Sequence, residues 1–556
     1  MHQMRRDLKD SKHDLEALHR YTSGRWLWNE HQQLACRYVK FDMSRLLELA
    51  VSLIGSKYCV EVVKISEGQY NKVFLLTMND GREVIVKLPN PNAGRPCFTT
   101  ASEVATMDFL RNILHLPVPK VYAWSSKASE NPVGAEYIIM EKQAGVMLSD
   151  VWESMKGKQK AHIVLQVVDF EKTLTSTKFT KVGALYYKDD LPAMLDTSSP
   201  LYVDKDGKEV HSAKFGIGPT NHRSFFDFGR GKLDIDHGPS LLRVYTCGIH
   251  DCHCASRNSL RKGATQIPID ARRPFLWTQT IPAQLFEELS ALHNYLKVAP
   301  YVLPDNRAAL TPVLWHGDLH LQNIFVDPGE PTRILGIVDW QCVSICPLFM
   351  QVTRPGFLDY NGPAPEGLRQ IHLPGNFDSM TSDEQRNAKA LHQAQTLHNL
   401  YLARSHQVNE EAFQAMQGQD TLRHQVSVIP GLTLMDYEPC LSSLLRDVEK
   451  RWPEIVGIGT DGLPLVPCPL QFSAAEIQEQ ERDEELWAQG VGLMNNFISD
   501  TGCFKHWDGK VSNADYESSK RQLAEGIQRF LGREARNEEE CKAWLKALPF
   551  VDQEDE

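Results

Sequence analysis

The chain lacks any apolar run of about 18 residues, which excludes a helical membrane span. Cysteine is scarce, 12 in 556 residues, so a disulfide scaffold is excluded and a reducing compartment is expected. Positive charge is short as well. Lys and Arg total 60 against 71 Asp and Glu, a net charge of −11, and nothing global draws the chain to nucleic acid or an anionic membrane. No repeat at solenoid spacing is found, and 42% hydrophobic with 24% charged residues excludes a mostly disordered or collagen-like protein. The opening MHQMRRDLKD has no apolar signal stretch, and Asp7, Asp10, Asp14 and Glu16 break the basic run that a mitochondrial presequence needs.

What is present reads as several units. Residues 1–45 form a polar N-terminal extension anchored by Trp26, Leu27 and Trp28. Residues 46–143 read as a small lobe, 144–410 as a helical lobe and 411–556 as a helical C-terminal region. In the small lobe, residues 46–60 predict a short helix stopped by Gly55, and residues 62–65, 72–78 and 84–88 predict strands. Asn79-Asp80-Gly81 predicts a two-residue hairpin turn between the last two, because Asp-Gly supplies positive φ. Residues 99–114 predict a helix capped by Thr100 or Ser102, and residues 121–124 and 137–140 predict two further strands. The order β-β-β-α-β-β is that of a small antiparallel sheet with one inserted helix. Beyond Gly145, helical spacing returns over 151–173 and 283–296, a strand pair is expected at 324–326 and 334–338, and residues 197–275 are turn-rich. Leu486, Trp487, Leu493, Met494, Phe497 and Ile498 predict one helix face near the C-terminus, and residues 476–485 a solvated one.

The chemistry concentrates in Trp315-His316-Gly317-Asp318-Leu319-His320-Leu321-Gln322-Asn323, followed downstream by Ile337-Val338-Asp339-Trp340. A hairpin between them would bring Asp318, Asn323 and Asp339 to one spot. Phosphoryl transfer needs that set: one carboxylate to take the proton of an attacking hydroxyl, and a carboxylate with an amide oxygen to hold Mg²⁺ against ATP phosphates. The spacing H-x-D-x₄-N with a later D matches the catalytic-loop pattern of kinases. Lys87, flanked by aliphatic residues in its strand, needs a partner if buried, and Glu103 on the next helix is the candidate, with Asp108 competing. The pair would hold the α/β-phosphates. Gly68 and Asn71 lie in a segment placed to cover a nucleotide, although it carries one glycine where G-x-G-x-x-G has three. Backbone groups near Met140 and Lys142, between the lobes, are expected to meet an adenine edge. His320 reads as a hydrogen-bonding element of the loop, and Trp315 and Phe325 as core. Cys247, His250, Cys252, His253 and Cys254 cluster too tightly for a standard zinc knuckle. A gene-model or splicing artefact over residues 241–265 is the leading expectation there, an ordinary loop the next and a metal site the last.

These residues, in this order, resemble the aminoglycoside phosphotransferase family of protein-kinase-like fold. Tyr21-Thr22-Ser23-Gly24-Arg25-Trp26-Leu27-Trp28, Leu88-Pro89-Asn90-Pro91-Asn92-Ala93-Gly94, Thr99-Thr100-Ala101-Ser102-Glu103, Leu296-Lys297-Val298-Ala299-Pro300-Tyr301 and Val466-Pro467-Cys468-Pro469 are similar, more narrowly, to its fungal branch of altered inheritance of mitochondria protein 9. The resemblance spans roughly residues 20–540. It implies a two-lobed α+β fold, with Asp318 as base, Asn323 and Asp339 on Mg²⁺, Lys87 on ATP and a small-molecule hydroxyl as acceptor. It also implies a mitochondrial setting, which a truncated gene start would reconcile with the N-terminus; the cytoplasm is the alternative. Asp339-Trp340-Gln341 stands where protein kinases have Asp-Phe-Gly, and Gly317 where they have arginine, so activation through a phosphorylated loop is not expected. The rival to an enzyme is a nucleotide-binding pseudokinase acting as a mitochondrial regulator or scaffold, and a zinc module on the Cys/His cluster is a third class.

Overall fold

The structure is a computed structural model, and it describes residues 12–193, 198–223, 281–363, 367–430, 437–503 and 508–548, with 195, 226, 238–239, 365 and 550. The Cys247–Cys254 cluster and residues 241–265 lie outside the described residues.

The small lobe starts with helix α1 (Met43–Ile54), capped by Asp42, whose carboxylate accepts from the Arg45 amide at 3.0 Å. Gly55 ends it with φ 71°, the left-handed backbone that glycine adopts without strain. Strands β1 (Cys59–Glu67), β2 (Asn71–Met78) and β3 (Glu83–Pro89) follow, then helix α2 (Phe98–Asn112), then β4 (Val121–Ser125) and β5 (Tyr137–Glu141). They make one five-stranded antiparallel sheet in the order β1-β2-β3-β5-β4. Strand alternation decides which side each residue serves. Phe74, Leu76, Val84, Val86 and Leu88 are buried in one cluster with Leu46, Leu47 and Ala50 of α1. Lys87 falls on the opposite face, towards α2.

Three local expectations need correction. The β2–β3 turn is a three-residue loop, because Met78 N donates to Arg82 O at 2.8 Å and Gly81 N to Met78 O at 3.0 Å. Gly81 alone takes positive φ there, so the turn closes through a glycine bulge and Asp80 stays in ordinary space. Helix α2 begins after Cys97, and neither predicted cap acts. Thr100 Oγ1 instead donates to Glu136 Oε2 at 2.6 Å, and Ser102 is buried within the helix. The predicted helix over 151–173 is broken: a turn at Trp152–Ser154 and an extended Lys156 precede helix α3 (Gly157–Thr175).

The lobes join through β6 (Val146–Met147), which pairs with β10 (Ile324–Val326) of the larger lobe. Gly145 makes this possible, since a Cβ there would sit 2.2 Å from the Val326 carbonyl and its φ is +93°. The larger lobe continues through β7 (Ala184–Tyr187), β8 (Phe215–Gly218), helix α4 (Ile281–Val302) and β9 (Pro312–Leu314). After β10 come β11 (Ile334–Ile337) and β12 (Ile345–Pro347), and β11-β10-β6 form one small sheet while β9 pairs with β12. Helix α5 (Ser382–Val408) packs beside α3 over a core that contains Trp315, Leu319, Ile324 and Trp340. Helix α6 (Glu438–Lys450) joins α4 in a separate cluster, and helices α7 (Ala474–Thr501), α8 (Tyr516–Glu534) and α9 (Glu538–Ala547) follow. On α7, Met494 and Phe497 are buried, whereas Leu486 of the predicted face is exposed. The architecture is a two-lobed α+β fold, with an antiparallel small lobe, a mainly helical large lobe and a helical C-terminal region.

Candidate active site

Lys87 reaches the cleft from β3 because its two neighbours in the strand, Val86 and Leu88, point into the α1 core. Its Nζ donates to Glu103 Oε1 at 2.7 Å and to Asp339 Oδ1 at 2.8 Å. Asp108, the competing partner, is occupied elsewhere: it accepts from Tyr187 Oη at 2.7 Å and pairs with Lys214 at 2.5 Å. Burial by itself would depress the Lys87 ammonium, but the charges of Asp339 and Glu103 outweigh it and hold the lysine above its ordinary value. The Lys87 charge in turn holds the Asp339 carboxyl below the usual range, while burial pushes the Glu103 carboxyl up.

The loop over Asp318–Asn323 is built from its own polar groups. Asn323 Nδ2 donates to the Asp318 carbonyl at 2.9 Å, which closes the turn. Val338 N donates to the Asn323 carbonyl at 3.0 Å, so Asp339 follows directly on a residue tied to Asn323. His316 is buried, and its Nε2 bonds the Val338 carbonyl at 3.0 Å, which requires the proton on that nitrogen. Desolvation lowers its basicity, so it stays a neutral brace under the loop, with its ring edge-on to Trp340 at 4.6 Å. His320 Nδ1 accepts from the Gln322 amide at 3.2 Å and its Nε2 lies 3.7 Å from Asp318 Oδ2. It orders the loop. The Asp318 side chain itself is 79% exposed, open to an incoming hydroxyl. Asp339 takes φ 63° and Cys342 φ 58°, left-handed backbone in two non-glycine residues of one short loop.

The remaining expected residues are placed as follows. Gly68 sits in a three-residue tip between β1 and β2; its N donates to Asn71 O at 3.1 Å, and a Cβ there would meet nothing within 4 Å. Asn90 pins that tip, its N donating to Tyr70 O at 2.7 Å. The Asn71 side chain turns to Gln341: its Nδ2 donates to Gln341 Oε1 at 2.8 Å and its Oδ1 accepts from Gln341 Nε2 at 3.0 Å. Met140 packs against the large-lobe core, and Lys142 Nζ pairs with Glu83 Oε2 at 2.5 Å, beside the interlobe segment. Gln341 and Asn90 are the two residues that sequence reasoning missed. Gln341 carried a signal, since it ends the Asp339-Trp340-Gln341 triplet; Asn90 stood in the Leu88–Gly94 block, which gave it no role of its own.

The donor set suits magnesium. Asn323 spends its Nδ2 on the loop and Asp339 spends Oδ1 on Lys87, which leaves an amide oxygen and a carboxylate oxygen from adjoining loops. Among the described residues no three His, Cys, Asp or Glu side chains gather as a metal-holding group. A cation here would rely on a sparse oxygen pair completed by substrate phosphates, as the hard, hydrated Mg²⁺ does.

Comparison with known proteins gives the same direction. Residues 61–353 match the phosphotransferase enzyme family, a span that contains every residue of this site. A subtelomeric hrmA-associated cluster protein of Aspergillus fumigatus is 32% identical over 538 residues, 90% of this chain and 98% of that one. The altered inheritance of mitochondria protein 9 of Yarrowia lipolytica is 23% identical, covering 85% of this chain and 82% of its own. The solved structure of the gentamicin complex of APH(2")-IIa covers 71% of this chain and 96% of that one at 15% identity, with a TM-score of 0.30. With more than half of its length in the family match and a relative above 30% identity along nearly the whole chain, this protein belongs to the phosphotransferase enzyme family and has the altered inheritance of mitochondria protein 9 proteins among its homologues.

Proposed function

We propose that the chain transfers the γ-phosphoryl group of ATP to a hydroxyl of a small molecule. The observation that carries this reading is the Lys87 ammonium held between Glu103 at 2.7 Å and Asp339 at 2.8 Å. A buried lysine fixed by one carboxylate and shared with a second is the arrangement that presents a positive charge to nucleotide phosphates. Asp318 takes the proton from the acceptor hydroxyl as its oxygen attacks the γ-phosphorus, in line with the departing ADP oxygen. Lys87 offsets charge on the phosphates, and Glu103 keeps Lys87 in place. Asn323 Oδ1 and Asp339 are the residues that would hold magnesium. Those residues would place the ion where its positive charge would offset that of the nucleotide phosphates. The open tip at Gly68 leaves room for backbone N–H groups to approach phosphate, and the backbone at Lys142, just past the sheet pairing that occupies Met140, is offered for the adenine edge.

The mitochondrial setting printed in the names of several relatives comes to this chain as part of the same proposal; fractionation of cells expressing a tagged chain tests it. For the activity, the test is phosphorylation of a metabolite pool with labelled ATP and Mg²⁺. Turnover is expected from the parent and its loss in Asp318→Ala, with nucleotide affinity near that of the parent. Labelled product that persists in Asp318→Ala removes the base assignment. Nucleotide binding without consumption across the pool favours the regulatory pseudokinase, which the single glycine of the tip is compatible with.

A further inference from the structure

The loop after β11 is costly to hold. Asp339 and Cys342 both sit in left-handed backbone, and neither is glycine. Such conformations are unfavourable for residues other than glycine and persist only where the surroundings enforce them. The enforcing contacts come from the small lobe. Lys87 takes the Asp339 carboxylate at 2.8 Å, the Cys342 thiol lies 3.7 Å from the Ala93 carbonyl, and Gln341 meets Asn71. The last contact is the most specific of the three. Two side-chain amides face each other head to tail, each donating once and accepting once, at 2.8 and 3.0 Å. A pair of carboxamides satisfies both bonds without changing charge. The two residues are 270 positions apart, so the bridge is a tertiary device.

Asn71 also has a place that makes the bridge consequential. It is buried, it opens β2, and its carbonyl accepts from the Gly68 amide, so it terminates the tip that faces the phosphates. The next residue, Lys72, is fully buried and pairs with Glu67, which in turn accepts from the Thr22 amide at 2.6 Å. Asn71 is therefore anchored on its own side, and what it holds across the cleft is held against a fixed point.

We propose that Asn71 and Gln341 are positioning residues: their amide bridge locks the strained loop so that the Asp339 carboxylate faces a magnesium ion from a fixed direction. The inference rests on the phosphotransferase reading of the site and goes beyond it, since it assigns to Asn71 a bridging role across the cleft. The bridge touches neither metal nor substrate; it acts through Asp339. Its loss should thus weaken the part of nucleotide binding that depends on magnesium and spare the part that does not, because Lys87 and the tip remain.

The test uses the full chain and ADP, measured by calorimetry with and without Mg²⁺, alongside the thermal midpoint. Gln341→Leu is expected to reduce the magnesium-dependent gain in ADP affinity by about tenfold, the scale on which groups that orient metal ligands act. Metal-free ADP affinity should stay near the parent value, while the thermal midpoint falls modestly because the buried Asn71 amide loses both bonds. The exchanged pair Asn71→Gln with Gln341→Asn, which preserves both amides and their summed length, should restore most of the gain. An unchanged magnesium dependence in Gln341→Leu overturns the proposal. So does an equal loss with and without magnesium, since that would mean a contact that only supports the fold. An exchanged pair no better than Gln341→Leu overturns it as well. A parent chain that binds ADP under neither condition refutes the proposed function instead, and is told apart from these results by the parent measurement alone.

Discussion

Single charges set the chemistry of this protein, and two of them make sharp predictions. Lys87 is 5% exposed and Glu103 3%, so removing the cation leaves an uncompensated buried carboxylate. Lys87→Met should cost about 3–5 kcal/mol in urea unfolding, and Lys87→Met with Glu103→Met should recover a good part of that. Equal stabilities for the single and double variants would deny the pairing. Glu171 on α3 is the second case. It is buried with one bond, from Tyr401 Oη at 2.8 Å, and burial pushes its carboxyl up to about 8 from an ordinary 4.5. The unfolded chain therefore releases this proton at lower pH than the folded one. Its contribution to stability is complete below pH 4.5, declines as pH rises, and is gone above about 8. Glu171→Gln keeps an acceptor for Tyr401 and cannot ionise. Its thermal midpoint should gain on the parent steadily from pH 5 to pH 8.5, and parallel curves would place the Glu171 proton elsewhere.

At the level of elements, glycines that look alike in the sequence do different things. Gly145 carries φ +93° and lies where a Cβ would strike the Val326 carbonyl at 2.2 Å; Gly68 has open space and no such φ. Gly145→Ala should cost well over about 1 kcal/mol and loosen the β6–β10 joint, while Gly68→Ala should stay within about 0.5 kcal/mol of the parent. Urea unfolding of the two variants checks both. If Gly68→Ala nonetheless weakens ATP binding, the tip meets phosphate through its backbone. The sheet, the placing of α2 after β3 and the hairpin that follows the Asp318–Asn323 loop were legible from the chain, because alternation is a local signal. The start of α2 was not: Thr100 is drawn away by Glu136, and the helix opens from Cys97 at φ 68°, a position that tertiary contact alone selects. The break before α3 was hidden for a related reason, since the apolar spacing on either side of Lys156 stays in phase. Gln341 stood inside a motif already marked, yet its partner Asn71 is remote, and no window around either residue contains both.

Segments near the two ends of the sequence pack together, and no periodicity announces it. Arg25–Trp26 pairs antiparallel with Lys510–Val511, and Leu27 and Trp28 are buried among side chains of α7 and α8. Phe550 stacks flat on Phe497 with centroids 4.8 Å apart and meets Trp28 edge-on at 5.0 Å. The same N-terminal segment holds the β1–β2 strands, through Thr22 to Glu67 and from Glu67 to the buried Lys72. The pairing of these two segments and the placement of the tip at Gly68 are thus linked by a short run of bonded residues. If that packing exists in solution, Trp28 and Phe550 are energetically coupled. Phe550→Ala removes a fully buried ring and should cost about 3–5 kcal/mol, and Trp28→Ala a similar amount. The double variant should cost less than the sum by about 0.5–1.5 kcal/mol, the surplus that a ring pair carries beyond buried area. Urea unfolding of the four chains measures it. Strict additivity would mean that the ends fold against separate surfaces, and that Thr22 reaches Glu67 without help from the C-terminal helices.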